Sequence, residues 1–224
     1  MPSEGLLITE IFESLQGETS LSGLPFTFVR LTGCNLRCTY CDTSYAFHGG
    51  AKMSVEDVIA KVEALGRKHV LLTGGEPLLQ RATPHLARSL AERGYEVSIE
   101  THGEHPIQEV AGVARIVMDV KTPSSGMARG GFRSNLPLLR PTDEVKFVIA
   151  SEGDYAWARD VVREAVIPTR EILFSPALPA RDTPGTYPGV RLEWLAARIL
   201  EDGLPVRFQY QLHKLIWGSD ARGV

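Results

Sequence analysis

The chain has 224 residues, 43% of them hydrophobic, and a formal net charge of -3. A chain of that size and composition can fill its own core without disulfide staples, and its charge balance gives no electrostatic reason to expect nucleic acid or another polyanion as partner. Met1-Pro2-Ser3-Glu4 shows no basic stretch backed by an apolar run, and no segment reaches the roughly 18 apolar residues of a membrane span, so the expectation is a cytoplasmic protein acting on a small molecule.

In chain order, "PFTFVRLTG" (25–33) predicts a strand, and the three cysteines follow it directly. "SVEDVIAKVEALG" places Val55, Val58, Ile59, Val62 and Leu65 on one helical face, with Ser54 and Asp57 at capping-box spacing and Gly66 as the stop. "HVLLTGG" then predicts a strand, residues 78–93 contain a helix ending near Gly94, "EVSIETHG" is a strand, a short helical stretch follows Pro106, and "ARIVMDVK" is a strand. Residues 122–141 form a loop too long for a simple connector, so it is either functional or mobile. The alternation resumes with "EVKFVIAS", a helix over 154–165, "EILFSPAL", a helix near 191–202, and "VRFQYQL". Repeated right-handed βαβ units imply a parallel sheet covered by helices, whereas a closed eight-unit barrel takes about 250 residues. The expected fold is therefore α/β: an incomplete TIM-like barrel of about six βα units, with six or seven core strands, open on one side and forming a single domain over 1–224.

Polar and glycine-rich clusters follow the strands at their carboxyl ends: Cys34 onward, Thr73-Gly74-Gly75-Glu76, Glu100-Thr101-His102, Lys121-Thr122, Ser151, Ser175 and His213. Parallel α/β sheets carry their active sites on that edge. The cysteines Cys34, Cys38 and Cys41 have the spacing C-x3-C-x2-C, and the chain contains no other. A structural zinc site needs a fourth ligand, for which His48 is available, but such sites usually staple small domains that lack a core. A reactive or merely buried trio of thiols is a second alternative. An iron–sulfur cluster usually takes four thiolates, so three leave one iron open to an exogenous ligand.

That spacing, with Tyr40 just before the last cysteine and "TGGEPLLQ" (73–80) on a second strand, resembles the radical S-adenosylmethionine (SAM) superfamily. The resemblance implies a [4Fe–4S] cluster on the three cysteines, whose free iron chelates the amino and carboxylate groups of SAM and whose reduced form cleaves it to a 5′-deoxyadenosyl radical. It also implies that Gly75 and Glu76 contact or orient the SAM amino group, the glycines allowing backbone to approach closely. "EIFESLQGET", "FVRLTGCNLRCTYCDT", "ETHG", "DVKTPSSGM" and "QLHKLIWG" resemble, more narrowly, the 7-carboxy-7-deazaguanine synthase family. That family converts 6-carboxy-5,6,7,8-tetrahydropterin to 7-carboxy-7-deazaguanine with loss of ammonia, on the route to queuosine, using SAM catalytically and requiring Mg²⁺.

Carried onto this chain, the resemblance implies pterin contacts from Leu15, Gln16, Gly17, Glu18, Arg30 and Thr73, magnesium binding by Thr43, and cofactor contacts from Tyr40, Asp42, Gly75, Glu76, Lys121, Thr122 and Ser124. A flavodoxin or ferredoxin as electron donor and a homodimeric assembly are implied in the same way. Gln16 and Glu18 offer an amide and a carboxylate that match the donor and acceptor edge of a pterin, though a solvated polar turn has the same composition. Arg30 lies in a strand otherwise made of Phe26, Phe28, Val29 and Leu31, so its guanidinium needs an anion: the substrate carboxylate, or an internal partner such as Glu13. Mg²⁺ accepts few protein oxygens, which suits a lone threonine hydroxyl beside substrate oxygens, although Asp42-Thr43 also fits a loop cap. Two features depart from the family pattern: Thr19 stands where many members have a second glycine, and the chain continues past "HKLIWG" to Val224, so no contact is assigned to the tail. The rival functions are a small activase that abstracts hydrogen from a glycine of a partner protein, and a non-catalytic iron–sulfur or zinc module.

Overall fold

The computed structural model describes residues 5–177, 189–218 and 221–224. Seven strands run parallel: β2 (Pro25–Leu31), β4 (His69–Gly74), β5 (Glu96–Thr101), β6 (Arg115–Val120), β7 (Glu144–Ile149), β8 (Glu171–Pro176) and β9 (Arg207–Phe208). Two antiparallel strands extend one edge, β1 (Leu6–Leu15) and β3 (Ala51–Met53), giving the order β3-β1-β2-β4-β5-β6-β7-β8-β9. No pairing joins β3 to β9 among the described residues, so the barrel is incomplete and open. Among the described residues its six parallel crossovers carry four helices: α1 (Val55–Leu65), α2 (Thr83–Glu92), α3 (Glu152–Glu164) and α4 (Leu192–Glu201), followed by the short α5 (Leu212–Trp217).

The expected helix after Pro106 is instead a run of turns closed by Val110 N→Ile107 O and Ala114 N→Val110 O, too short for a helical ladder to propagate. The 122–141 loop contains three single-turn 3₁₀ segments, Pro123–Ser125, Gly131–Ser134 and Leu136–Leu138. Strand β1 escapes a period-2 reading because a bulge between Ile8 and Glu10 shifts its phase: Leu6 and Ile8 are buried, whereas the next apolar pair is Ile11-Phe12. The last residue of "EILFSPAL", Leu178, lies outside the described residues.

The sheet sorts its side chains by strict alternation. One set, including Val29, Leu31, Val70, Leu72, Val97, Ile99, Ile116, Met118, Val145, Phe147, Ile172 and Phe174, packs with the helices in the main core. The alternate set contains Phe28, Arg30, Leu71, Thr73, Glu100, Asp119, Lys121, Lys146 and Val148, and lines a cavity on the other face. Helix α1 shows how a crossover is secured. It buries Val55, Val58, Ile59 and Val62, each contributing roughly 1.5–3 kcal/mol, with Leu65 only partly buried. Ser54 and Asp57 close the capping box, Asp57 N→Ser54 Oγ at 3.0 Å and Ser54 N→Asp57 Oδ2 at 3.3 Å, and Gly66 ends the helix in the left-handed region. Among the described residues no helix is long and apolar enough to cross a membrane.

The capping box is remote from the cavity, which permits a clean test of the fold argument. Ser54→Ala is expected to lower stability by about 1 kcal/mol, read as a shift in the urea midpoint at unchanged slope, with parental catalysis.

Candidate active site

The cavity holds about 520 Å³ and opens at the carboxyl ends of the parallel strands. Cys34, Cys38 and Cys41 all line it, from the loop that leaves β2. The thiols are free and partly buried. Leu36 N donates to Cys34 Sγ at 3.4 Å, a bond of the kind that steadies a cluster thiolate. Burial pushes all three thiols up, Cys38 to about 11. His48 is exposed and does not line the cavity, which removes the fourth ligand of the zinc alternative.

The loop after β4 fits against the cysteine loop with no space to spare. Gly75 N donates to Leu31 O at 3.1 Å and Glu76 N to Gly33 O at 2.8 Å. A Cβ on Gly75 would stand 2.0 Å from Gly33 O and 3.0 Å from Cys34 Cβ. The Gly-Gly pair is thus required first by backbone meeting backbone; both glycines also face the cavity, where SAM is expected.

Glu76 does not line the cavity. It is fully buried and receives Leu78 N, Thr101 Oγ1 and His102 N at 3.0, 2.8 and 2.9 Å, and burial pushes its carboxyl up to about 7 against those donors. Its place is beneath the glycines, suited to orienting rather than touching SAM. His102 ties this element to the cysteine loop. Its Nδ1 accepts from Glu104 N, so the proton sits on Nε2, which donates to Asn35 Oδ1 at 2.9 Å with Glu76 Oε2 at 3.2 Å. Burial drives the imidazole down to about 3, so the contact with Glu76 is that of a neutral ring and not an ion pair.

Thr122 and Ser124 likewise stand behind the wall rather than on it. Thr122 is fully buried, shared between Tyr40 OH at 3.1 Å and Val148 O at 2.9 Å, and Ser124 accepts Thr39 Oγ1 on its carbonyl at 2.7 Å. These bonds dock the cysteine loop onto the 122–141 loop. Tyr40 and Lys121 do line the cavity; burial pushes the Tyr40 phenol up to about 12.

The remaining residues singled out from the sequence converge on the same space: Leu15, Gln16, Gly17, Glu18, Arg30, Asp42, Thr43 and Thr73. Gln16 is 2% exposed, and its Oε1 accepts Glu18 N at 3.0 Å while Nε2 has no partner among the described residues. An orphaned buried amide donor is costly unless a ligand receives it. Arg30 pairs through Nε with Glu10 Oε1 at 2.7 Å, not with Glu13, because Glu10 is its cross-strand neighbour; Glu13 reaches Arg67 on the surface. The guanidinium of Arg30 stands 5.8 Å from the centres of the Phe12 and Tyr45 rings, and its terminal nitrogens have no hydrogen-bond or ion-pair partner among the described residues, so its carboxylate-binding fork is uncommitted. Thr43 Oγ1 donates to Asp42 Oδ1 at 3.0 Å and Lys214 Nζ meets Asp42 Oδ2 at 2.8 Å, which puts hard oxygens beside the cysteines. Thr19, the departure from the glycine pattern, is buried and accepts Leu21 N in its own turn.

Sequence reasoning missed four contributors. Lys146 lies at the centre of the inner face, 1% exposed, between Glu18 at 2.8 Å, Glu100 at 2.6 Å and Asp119 at 3.1 Å. Asp119 also holds Lys121 at 3.1 Å. The signal was present: a lysine between Val145 and Phe147 is as anomalous as Arg30 in its strand. Glu10 is the third, invisible behind the bulge. The tail is the fourth: residues 221–224, to which the sequence assigned no contact, line the cavity beside His213 and Lys214, and Arg222 lies 4.4 Å from the centre of the Tyr45 ring.

Comparison with known proteins agrees with this geometry. The Radical SAM superfamily profile matches residues 28–166. The chain is 45% identical to a 7-carboxy-7-deazaguanine synthase of Koribacter versatilis (strain Ellin345), over 97% of this chain and 99% of the relative. This chain belongs to the radical SAM superfamily and, within it, to the 7-carboxy-7-deazaguanine synthase family. Another relative of that name, from Chlorobaculum tepidum, is 41% identical over 98% of this chain and 97% of its own. The crystal structure of QueE from Escherichia coli shares the fold, with a TM-score of 0.70 at 21% identity, over 92% of this chain and 94% of that one. A radical SAM enzyme uses a [4Fe–4S] cluster and SAM, and the three-thiol donor set with no fourth cysteine fits that requirement.

The contact between Gly75 and the cysteine loop generates a prediction. Gly75→Ala is expected to fold but to lose most of the iron and sulfide taken up on anaerobic reconstitution, because the methyl group displaces Gly33 and Cys34. Gly153→Ala, whose Cβ meets only Ser151 Oγ at 3.6 Å, is the control and should load like the parent.

Proposed function

We propose that this enzyme converts 6-carboxy-5,6,7,8-tetrahydropterin to 7-carboxy-7-deazaguanine with loss of ammonia. One observation carries the reading: the cavity that receives the three thiols also contains an orphaned amide donor on Gln16 and the uncommitted fork of Arg30. A cyclic amide edge and a carboxylate are the two features by which such a pterin is recognised. A polypeptide glycine, the substrate of an activase, offers no match to that set.

In this reading Cys34, Cys38 and Cys41 hold the cluster, and Gly75, with Tyr40 and Lys121, faces SAM. When bound, the cluster and SAM supply the one-electron chemistry that starts the rearrangement. The chain's own residues bind, orient and exclude water. Gln16 Nε2 donates to the pterin and Glu18 accepts from it, Thr73 and Leu15 flank it, and Gly17 keeps its backbone within reach because a Cβ there would meet His213 Nδ1 at 2.4 Å. Arg30 takes the carboxylate bidentately. Thr43, oriented by Asp42, offers its hydroxyl to Mg²⁺, which balances the charge of the same carboxylate. Phe12, Phe28 and Leu71 supply the apolar wall. The chain works as one domain in the cytoplasm, a reading that rests on its continuous βα rhythm and the lack of a long apolar stretch, and as a homodimer reduced by a flavodoxin or ferredoxin, which rests on the family resemblance.

The deciding experiment is anaerobic reconstitution followed by incubation with SAM, a reductant, Mg²⁺ and the carboxylated tetrahydropterin, with the deazapurine read by mass. A cluster-loaded protein that cleaves SAM yet never forms the deazapurine refutes the reading. Arg30→Ala is expected to raise the pterin KM by roughly 10- to 100-fold while the SAM Kd stays at the parental value. An equal loss of both, with a lower Tm, would instead assign Arg30 to its Glu10 pair alone. Thr43→Val is close in volume and lacks the oxygen, so turnover should lose its response to Mg²⁺ while cluster and SAM binding persist; a variant that keeps the parental metal response removes Thr43 from the metal.

A further inference from the structure

Residues 16–22 leave β1 and cross the concave face of the sheet before the chain enters β2. Two residues of β7 meet them there, although β2, β4, β5 and β6 separate β1 from β7 in the sheet. Lys146 Nζ holds Glu18 Oε2 at 2.8 Å. Two positions earlier on the same strand face, Glu144 accepts Ser20 N at 3.0 Å and Ser20 Oγ at 2.8 Å. The other oxygen of Glu18 receives Gln211 Nε2 at 2.7 Å and has His213 Nε2 at 3.6 Å.

Lys146 is buried, and its ammonium is spent entirely on carboxylates: Glu18, Glu100 and Asp119. It therefore acts through its partners rather than on a ligand. Burial opposes the charge on Lys146, and Asp119, Glu100 and Glu18 outweigh it, holding the amine well above its ordinary range. Burial likewise opposes ionisation of Glu18, and Lys146, with His213 and Lys214, overcomes it. A hydrophobic side chain of similar length would fill the same space at no desolvation cost, so stability alone is a weak reason for an ammonium here. Glu100 has a second anchor in Thr73 at 3.1 Å, and Asp119 a second in Lys121. Glu18 sits on a loop, and among the described residues Lys146 is the sole partner of its Oε2.

We propose that Lys146 is a positioning residue for pterin recognition: from the far side of the sheet it fixes the carboxylate of Glu18, and with it the segment that carries the Gln16 donor. The proposal rests on the functional reading above, in which Gln16 and Glu18 meet the pterin.

The test compares Lys146→Met, Glu18→Gln and the double variant, each reconstituted with its cluster. Methionine keeps the straight chain and removes the charge. Pterin KM, SAM Kd, iron content and Tm are read for all. Lys146→Met should raise the pterin KM by roughly 10- to 100-fold, with SAM Kd and iron content within about twofold of the parent. If Lys146 acts through Glu18, the double variant should match Glu18→Gln alone within about twofold. The double variant keeps the cluster's net charge, one ammonium against two carboxylates in place of two against three, so it decides the matter even where Lys146→Met fails to fold. A parental pterin KM in Lys146→Met or in Glu18→Gln, a parallel rise in SAM Kd, or a double variant about tenfold worse than Glu18→Gln would each overturn the proposal. A parent protein that forms no deazapurine defeats the functional reading before any substitution is made, and the proposal with it.

Discussion

A lysine ammonium sealed under the cavity is the constraint on which the arrangement of this site turns. Removing one member of such a buried network costs about 3–5 kcal/mol, because the partners left behind are charged and dry. Lys146 therefore ties together elements far apart in the chain: the segment after β1 through Glu18, β5 through Glu100, and β6 through Asp119. Asp119 passes the constraint on to Lys121, which faces the cysteine loop across the cavity. The segment after β1, strands β5 and β6, and Lys121 are thus joined by one run of ion pairs along the inner face.

The other half of the site is organised by neutral contacts. Glu76 collects the backbone N–H of Leu78 and His102 and the hydroxyl of Thr101, and His102 reaches Asn35. Thr39 and Tyr40 then dock the opposite flank of the cysteine loop onto Ser124 and Thr122. A loop without regular secondary structure is held from both sides by side chains of neighbouring strand ends. Such preorganisation suits a site where bound groups supply the reactivity and the protein supplies geometry. The first residues of the 122–141 loop thereby support the cysteine loop from behind.

The parts of the molecule legible without coordinates were those whose information is local. The capping box of Ser54 and Asp57, the strands in "HVLLTGG" and "EVKFVIAS", and the cysteine spacing each declare themselves within a few residues, because hydrogen-bonding and burial periods repeat on that scale. The failures have a common origin. Strand β1 was lost to a bulge that reverses its phase, and with it went Glu10 as the partner of Arg30. The helix expected after Pro106 gave way to turns because the segment is too short for a helical ladder to propagate.

The sequence by itself determined the fold class, the family, the three thiols, and a set of residues that does gather around one cavity. Local spacing and composition suffice for these, since each motif carries its chemistry in its residue types. Only the tertiary structure decided which of those residues face the cavity and which support it from behind. Glu76, Thr122 and Ser124 lie in the same motifs as Gly75 and Lys121, yet their polar atoms are consumed by the protein. It also decided that Lys146, more than 120 positions along the chain from Glu18, holds that carboxylate. A charge buried in a sheet must find its counter-charges wherever the strands bring them, and strand order across an open barrel is not written in the spacing of any one segment.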